Sequence, residues 1–197
     1  GECCKTVLTN DCKTVEDAVE GTKTLFTNAP VKLGEKLSLR RFDIFNKEGE
    51  EGIGSYIHMG GKIGVLVLLK KADEELAKGL AMHIAANNPK YIHMSDIPAE
   101  LVENEKKIQL EACKNDPKLA SKPEVALVKI IEGKVNKFFS ESVLDDQEFL
   151  LEPGKKVSQV LKEKGNEIVK FVRYQVGEGI EKRQDNFAEE VAKQANN

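Results

Sequence analysis

The stretch that decides the fold is Ile53-Gly-Ser-Tyr-Ile-His-Met-Gly-Gly-Lys-Ile-Gly-Val-Leu-Val-Leu-Leu69. Two β-prone runs flank Met59-Gly60-Gly61, and paired glycines supply the positive φ angles that tight β-hairpins need. The stretch therefore predicts two antiparallel strands, Ile53–His58 and Lys62–Lys70. Because the second run is apolar at consecutive positions, we expect both of its faces to be covered, as in the central strand of a sheet.

A helix is predicted directly after the hairpin, over Asp73–Asn87. Asp73 is a good N-cap residue, and the apolar side chains Leu76, Leu80 and Ile84 recur every four residues. This spacing puts the three side chains on one face of the helix. We therefore expect the helix to lie against the hairpin.

Two further segments are typical of strands. Ile168–Val176 is strongly β-prone and ends at Gly177-Glu-Gly179, whereas Leu37–Phe45 alternates apolar and polar residues with a shift of phase near Arg40-Arg41. A β-bulge would explain that shift. Short helices are predicted over three other segments: Val15–Glu20, with Thr14 and Asp17 as a capping box, Val157–Lys164, and Phe187–Gln194.

The segment Pro98–Ser142 has a different pattern. A charged helix carrying Leu101 and Ile108 ends near Asp116-Pro117, and a second helix starts at Pro123. The apolar residues of the second helix have heptad spacing, so the pair is predicted to form an antiparallel coiled-coil hairpin. These residues are Val128, Ile131, Val135 and Phe138.

Together these elements predict an α+β fold, an antiparallel β-sheet with helices packed on it, interrupted by the helical hairpin. The expected division is a residual N-terminal segment, a first core part, the hairpin, a second core part and a C-terminal helical module. The corresponding ranges are 1–36, 37–97, 98–143, 144–180 and 181–197.

Composition excludes several classes of function. The 197 residues carry a net charge of −3 without a sustained basic block, so direct nucleic-acid binding is not expected. The longest apolar run is too short to cross a bilayer, and no secretory signal opens the chain. The four cysteines lack the paired spacing of zinc sites, so reduced thiols are expected rather than a metal site; they are Cys3, Cys4, Cys12 and Cys113.

No catalytic motif is present. The glycines around Lys62 precede a strand rather than a helix, which argues against a phosphate-binding loop. His83 is expected to be a hydrogen-bonded core residue, His93 a surface loop residue, and His58 an exposed residue on the hairpin rim. None of the three has an adjacent carboxylate or nucleophile in the sequence, and Glu178 with Glu181 is typical of a solvated helix face. We therefore expect no enzyme activity and no cofactor.

Five segments, read together, resemble the elongation factor Ts family. The matches occur in the family's order and run from Leu33 to Gln194. They are Gly54-Ser-Tyr-Ile-His-Met-Gly-Gly-Lys-Ile-Gly-Val-Leu-Val67, Ala81-Met-His-Ile-Ala-Ala-Asn-Asn-Pro-Lys-Tyr91, Ile131-Glu-Gly-Lys-Val-Asn-Lys137, Val172-Arg-Tyr-Gln-Val-Gly-Glu-Gly-Ile-Glu-Lys182 and Asn186-Phe-Ala-Glu-Glu-Val-Ala-Lys-Gln194.

The resemblance implies a nucleotide exchange factor that binds the GTPase elongation factor Tu and promotes GDP release, in the bacterial cytoplasm or in the matrix or stroma of a bacterial-type organelle. It also implies a helical hairpin that mediates homodimerisation, through Val128, Ile131, Val135 and Phe138. The residues that it assigns to partner contact are His58, Met59, Gly60, Lys62 and Ile63, followed by Phe187, Val191 and Gln194 of the terminal helix.

The chain also departs from the family pattern. Before Leu33 we find neither the family's N-terminal three-helix domain nor its Asp-Phe element, which enters the GTPase near its magnesium site. We therefore expect a truncated form with weakened exchange. Two alternatives remain: a module that docks the GTPase or dimerises without efficient exchange, and a small-molecule enzyme, which a buried polar pocket around His83 would favour.

Overall fold

The computed structural model describes residues 2–27, 38–120 and 122–179. The chain divides into two compact units, one within Gly1–Glu51 and one within Gly52–Asn197. The first unit is helical. The second contains the sheet and the helical hairpin.

The first unit begins with helices α1 (Glu2–Thr9) and α2 (Val15–Gly21). The predicted capping box starts α2, since the Thr14 side chain accepts a hydrogen bond from the Asp17 amide and Asp17 accepts one from the Thr14 amide. A short helical stretch follows over 23–27. A small apolar cluster forms where the helices meet, with Val7, Cys12 and Ala18 buried at its centre.

The strand predicted over Leu37–Phe45 is wrong. Residues 38–48 have no regular secondary structure, and Leu37 lies outside the described residues. Instead, the apolar side chains Leu39, Phe42 and Ile44 pack against the buried cluster of the first unit. Alternation shows only that one side of a segment is covered, and here the alternating side chains cover the cluster between the helices.

The second unit is built on an antiparallel three-stranded sheet with the order β1-β2-β3. The strands are β1 (Gly52–His58), β2 (Ile63–Leu69) and β3 (Ile168–Gln175), which confirms all three remaining strand predictions. As predicted, β2 is central, and its alternate residues Val65, Val67 and Leu69 are buried. Each strand side chain points to one face or the other, so the register defines two faces.

Helix α3 (Glu74–Asn87) covers one face of the sheet. As predicted, Asp73 caps it, with its carboxylate accepting a hydrogen bond from the Leu76 amide at 3.0 Å. Gly54 of β1 allows the close approach, because a Cβ at this position would lie 2.5 Å from the Ala77 carbonyl. Helix α7 (Val157–Glu163) contributes Val157, Val160 and Leu161 to the same core.

The predicted helical hairpin is present as α4 (Ala99–Asn115) and α6 (Glu124–Ser140), with the short helix α5 (Pro117–Ala120) between them. The contacting rows differ from the expected ones. Leu127, Ile131, Val135 and Phe139 form the buried or half-buried row of α6, whereas Val128 and Phe138 are 48 % and 57 % exposed.

The spacing explains this difference. The buried row of α6 recurs every fourth residue, as do Glu105, Gln109 and Cys113 on α4, which is typical of straight helices crossing through their i, i+4 ridges. A heptad row would have placed Phe138 inside. Leu101 and Ile108 of α4 consequently also point outward and are 48 % and 52 % exposed. Within the described residues, no helix has both the length and the hydropathy needed to span a membrane.

Candidate functional site

The tip of the β1–β2 hairpin has an unusual backbone. Met59, Gly60 and Gly61 form a single 3-10 turn with φ angles of 51°, 64° and 97°. Three consecutive residues thus have positive φ, which glycine adopts freely but which costs about 1–2 kcal/mol for a residue such as methionine. A non-glycine residue held in this conformation is a recognised pointer to a functional position.

Hydrogen bonds on both sides hold the turn in place. The Lys62 amide donates to the Met59 carbonyl at 3.4 Å, and the Val176 amide donates to the Lys62 carbonyl at 2.8 Å. The second bond ties the turn to the residue that follows β3. The tip is therefore supported by two neighbouring segments, which limits the conformational entropy that a partner would remove on binding.

His58 is oriented by its neighbour Tyr56. The two rings are stacked with centroids 5.7 Å apart, and the tyrosine hydroxyl lies 3.1 Å from Nδ1 of His58. Tyr56 itself is half-buried and packs against the core of the second unit. The exposed imidazole is thus presented from a fixed position, as expected from the sequence.

Large apolar side chains surround the tip. Ile57 and Val176 are each 73 % exposed and Met59 is 60 % exposed, although apolar side chains of this size usually lie inside a protein. We define the hairpin-tip surface as Ile57, His58, Met59, Gly60, Lys62 and Val176, all of which are exposed.

Four of the five contact residues predicted in the hairpin are exposed, and the fifth is buried. His58, Met59, Gly60 and Lys62 lie together in the exposed turn, whereas Ile63 is buried in the core and only 7 % exposed. Sequence reasoning missed Ile57 and Val176. The alternation along Ile53–His58 places Ile57 on the face opposite α3, but it does not show how far the side chain is exposed there.

Other predicted contacts lie elsewhere. Phe187, Val191 and Gln194 are outside the described residues. Of the four predicted dimerisation residues, Ile131 and Val135 are buried in the hairpin's own contact, while Val128 and Phe138 are exposed.

His83 is a buried, neutral residue of the core, as predicted. Its Nε2 donates to the Gln147 side-chain oxygen at 2.8 Å, and its Nδ1 accepts from the Leu150 amide at 3.2 Å. This pattern fixes the tautomer. Burial lowers the pKa of the His83 imidazole below its ordinary value, outweighing the opposing effect of Gln147. Both ring nitrogens are engaged, so His83 is not placed to act as a base.

An open polar cavity of about 490 Å³ lies beside this histidine. Its lining includes Asn87 and Gln147, which bond to His83, together with the acidic residues Glu141, Asp146 and Glu148. The His83 ring is fully buried and does not line the cavity. In the described part of the chain, no group of histidine, cysteine or acidic residues is arranged to hold a metal ion, and the four cysteines are free.

The expectation for His93 needs correction. It has a carboxylate neighbour, because its Nδ1 lies 2.5 Å from the Asp145 carboxylate, 52 residues further along the chain. The hydrogen bond to Asp145 raises the pKa of the His93 imidazole above its ordinary value. The side chain is partly exposed rather than fully so.

The fold is α+β, and the β1–β2 hairpin presents an exposed turn at its tip. A family model described as "Elongation factor TS" matches residues 2–178. The chain therefore belongs to the elongation factor Ts family, whose members are nucleotide exchange factors for elongation factor Tu in translation. The match begins at residue 2, so family similarity extends through the N-terminal helices, which the individual motifs had left unassigned before Leu33.

Proposed function

We propose that this chain binds elongation factor Tu through the hairpin-tip surface and promotes GDP release from it during translation elongation. The observation that carries the proposal is Met59, which is 60 % exposed and held at a φ of 51°. A methionine that is both strained and exposed has no packing role to explain it. Contact with a partner does explain it.

The surface has the composition of a protein-binding site. Ile57, Met59 and Val176 supply apolar area, and His58 and Lys62 supply polar groups at its margin. Methionine and aromatic side chains are enriched in such interfaces, and apolar anchors surrounded by polar residues carry most of the binding energy. The GTPase resides in the bacterial cytoplasm or in the matrix or stroma of a bacterial-type organelle, which is where we place the chain.

Exchange requires no bond chemistry from this chain. A factor that binds the nucleotide-free GTPase more tightly than the GDP-bound form weakens GDP binding by the same ratio. The role of the hairpin-tip surface is then to supply affinity for the GTPase. The alternative is a chain that docks the GTPase without efficient exchange. It would use the same contact surface but would not accelerate GDP release.

The substitution Met59→Gly tests the contact without harming the fold. Glycine adopts positive φ without strain, so thermal stability should be unchanged or slightly raised. Removal of the side chain should weaken binding to elongation factor Tu about tenfold, as for a central interface residue. Isothermal titration calorimetry measures the affinity.

Val169→Ala is the matched control. Val169 is 46 % exposed and lies near the start of β3, at the opposite end of the sheet from the tip. The Val169→Ala substitution also removes exposed apolar atoms, but the variant should bind elongation factor Tu with the same affinity as the unmodified chain. Equal affinities for all three proteins would contradict docking through the tip.

A second role in homodimerisation is favoured by the outer side of the helical hairpin. Val128 and Phe138 of α6 are exposed, as are Leu101 and Ile108 of α4, while Ile131 and Val135 are buried between the helices. Sedimentation equilibrium of the chain and of Phe138→Ser tests this role. We expect a concentration-dependent dimer that the substitution weakens, and a monomer at every concentration would exclude it.

A further inference from the structure

The helical hairpin joins the sheet core through a neck of two chain segments. Tyr91 and Val143 form a parallel β-bridge between the segment entering the hairpin and the segment leaving it. The Leu144 amide donates to the Tyr91 carbonyl at 2.9 Å, and the Asp145 amide donates to the Ile92 carbonyl at 3.1 Å. Backbone hydrogen bonds therefore connect the two segments of the neck directly.

Side chains of the neck alternate between the two cores. Tyr91 and Val143 pack into the apolar cluster of the hairpin, whereas Ile92 and Leu144 pack into the cluster beneath the sheet. Adjacent residues of an extended segment point to opposite sides. The neck is thus shared by both cores, and separating its two segments would disturb both of them.

One side-chain pair, His93 and Asp145, also links the two segments of the neck. His93 Nδ1 lies 2.5 Å from the Asp145 carboxylate, and the His93 amide donates to Asp96 at 2.8 Å. The Ser158 hydroxyl donates to the Asp145 carbonyl at 2.8 Å and anchors that segment to α7. His93 and Asp145 therefore join the entering segment to a segment that is already fixed to the core.

We propose that the His93–Asp145 pair is a pH-sensitive catch that holds the helical hairpin to the sheet core. When the imidazole is protonated, the pair is a charge-assisted hydrogen bond across the neck. Loss of the proton leaves a neutral imidazole against the anionic carboxylate, a weaker contact than the ion pair, while the backbone hydrogen bonds remain. The catch therefore changes how often the neck opens, an event that exposes the neck's own core residues and leaves the strands of the sheet paired.

The charges around His93 set the direction of the effect. Its ring faces Asp145 across the neck, Asp96 on its own segment and Glu167 just before β3, and Glu167 is in turn bonded to Lys70 at 3.0 Å. The three carboxylates favour the imidazolium, and the hydrogen bond to Asp145 is the largest cause of the raised pKa of His93. A group with a raised pKa stabilises the closed state at low pH and loses that contribution as pH rises through its closed-state value. The neck should therefore loosen above the ordinary histidine range of about 6.5.

Amide hydrogen exchange of the intact chain, followed by NMR, tests the catch. The amides of Leu144 and Asp145 report opening of the neck, and those of β2 report opening of the sheet. After correction for intrinsic exchange, neck protection relative to β2 should fall by about two- to fivefold between about pH 6 and about pH 9, the range expected for a partly exposed ion pair. The midpoint should coincide with the titration of the His93 ring.

Two variants make the test specific. His93→Gln keeps a hydrogen-bonding side chain without a titrating group, and Asp145→Asn keeps the acceptor without its charge. Neck protection in both should no longer depend on pH in this range. A pH dependence in either variant equal to that of the unmodified chain would overturn the proposal, as would a fall in β2 protection as large as that in the neck.

Discussion

Gly54 is the position where a single methyl group should cost most in the sheet. In the Gly54→Ala variant the new Cβ would lie 2.5 Å from both carbonyl atoms of Ala77 and 2.6 Å from its Cβ. Two of these three atoms are backbone, so no flexible side chain can yield. Strand β1 and helix α3 would have to separate by roughly 1 Å in a close-packed interface.

The magnitude follows from that separation. Overpacking against backbone belongs to the upper part of the range for such changes, about 3 kcal/mol of unfolding free energy. For a chain of this size that corresponds to a fall in melting temperature of about 6–12 °C. Thermal unfolding followed by circular dichroism measures the shift.

Gly64→Ala is the matched control on the neighbouring strand. A Cβ at Gly64 would meet nothing within 4 Å, because this residue faces the side of the sheet opposite α3. Its stability should lie within about 0.5 kcal/mol of the unmodified chain, or slightly above it. Equal melting temperatures for the two alanine variants would refute the close approach of β1 and α3 that positions the hairpin.

Two further pairs of measurements test the core. The free energy of unfolding should fall as pH drops below about 6.5, because His83 binds a proton in the unfolded chain at a pH where the buried, pKa-lowered imidazole does not. In the His83→Gln variant the urea midpoint of unfolding should therefore vary less with pH. A midpoint that depends on pH as steeply as in the unmodified chain would contradict this assignment. Phe139→Ala should cost about 3–5 kcal/mol in urea unfolding because Phe139 is buried. Phe138→Ala should cost less than about 1 kcal/mol, and similar losses for both would show that the hairpin contact is wrongly placed.

Most of the sheet unit could be predicted because its signals are local. Glycines after Met59 mark a turn, consecutive apolar residues from Val65 mark a central strand, and Asp73 marks the start of a helix. Each of these depends on neighbours within a few positions. The structure confirms them with boundaries shifted by at most one residue.

The remaining features depend on contacts that local patterns do not encode. The alternation around Phe42 indicates that one side of the segment is covered. It does not show whether a sheet or a pair of helices covers that side. Phe138 and Phe139 fit either possible contact row of α6, and only the structure shows that Phe139 is the buried one. His93 meets Asp145 only because the neck brings together two segments on either side of the helical hairpin, 52 positions apart in the sequence.

The exposed residues of the hairpin-tip surface could be named only in part from the sequence. Its turn residues followed from the family resemblance, whereas the exposure of Ile57 and Val176, and the hydrogen bond that ties Val176 to Lys62, are seen only in the structure. Ile63 was expected to be a contact residue, but it is buried. It lies between His58 and Gln175 in the sheet, with its side chain in the core.

The central claim is nucleotide exchange, and the most direct measurement is the rate at which fluorescent GDP leaves elongation factor Tu in the presence of this chain. We expect the rate to rise with chain concentration to a plateau, and Met59→Gly to reach half of that plateau only at a higher concentration than Val169→Ala. A release rate that stays at its unstimulated value, at concentrations where calorimetry shows the complex to be saturated, would contradict exchange and leave a protein that docks the GTPase without acting on its nucleotide.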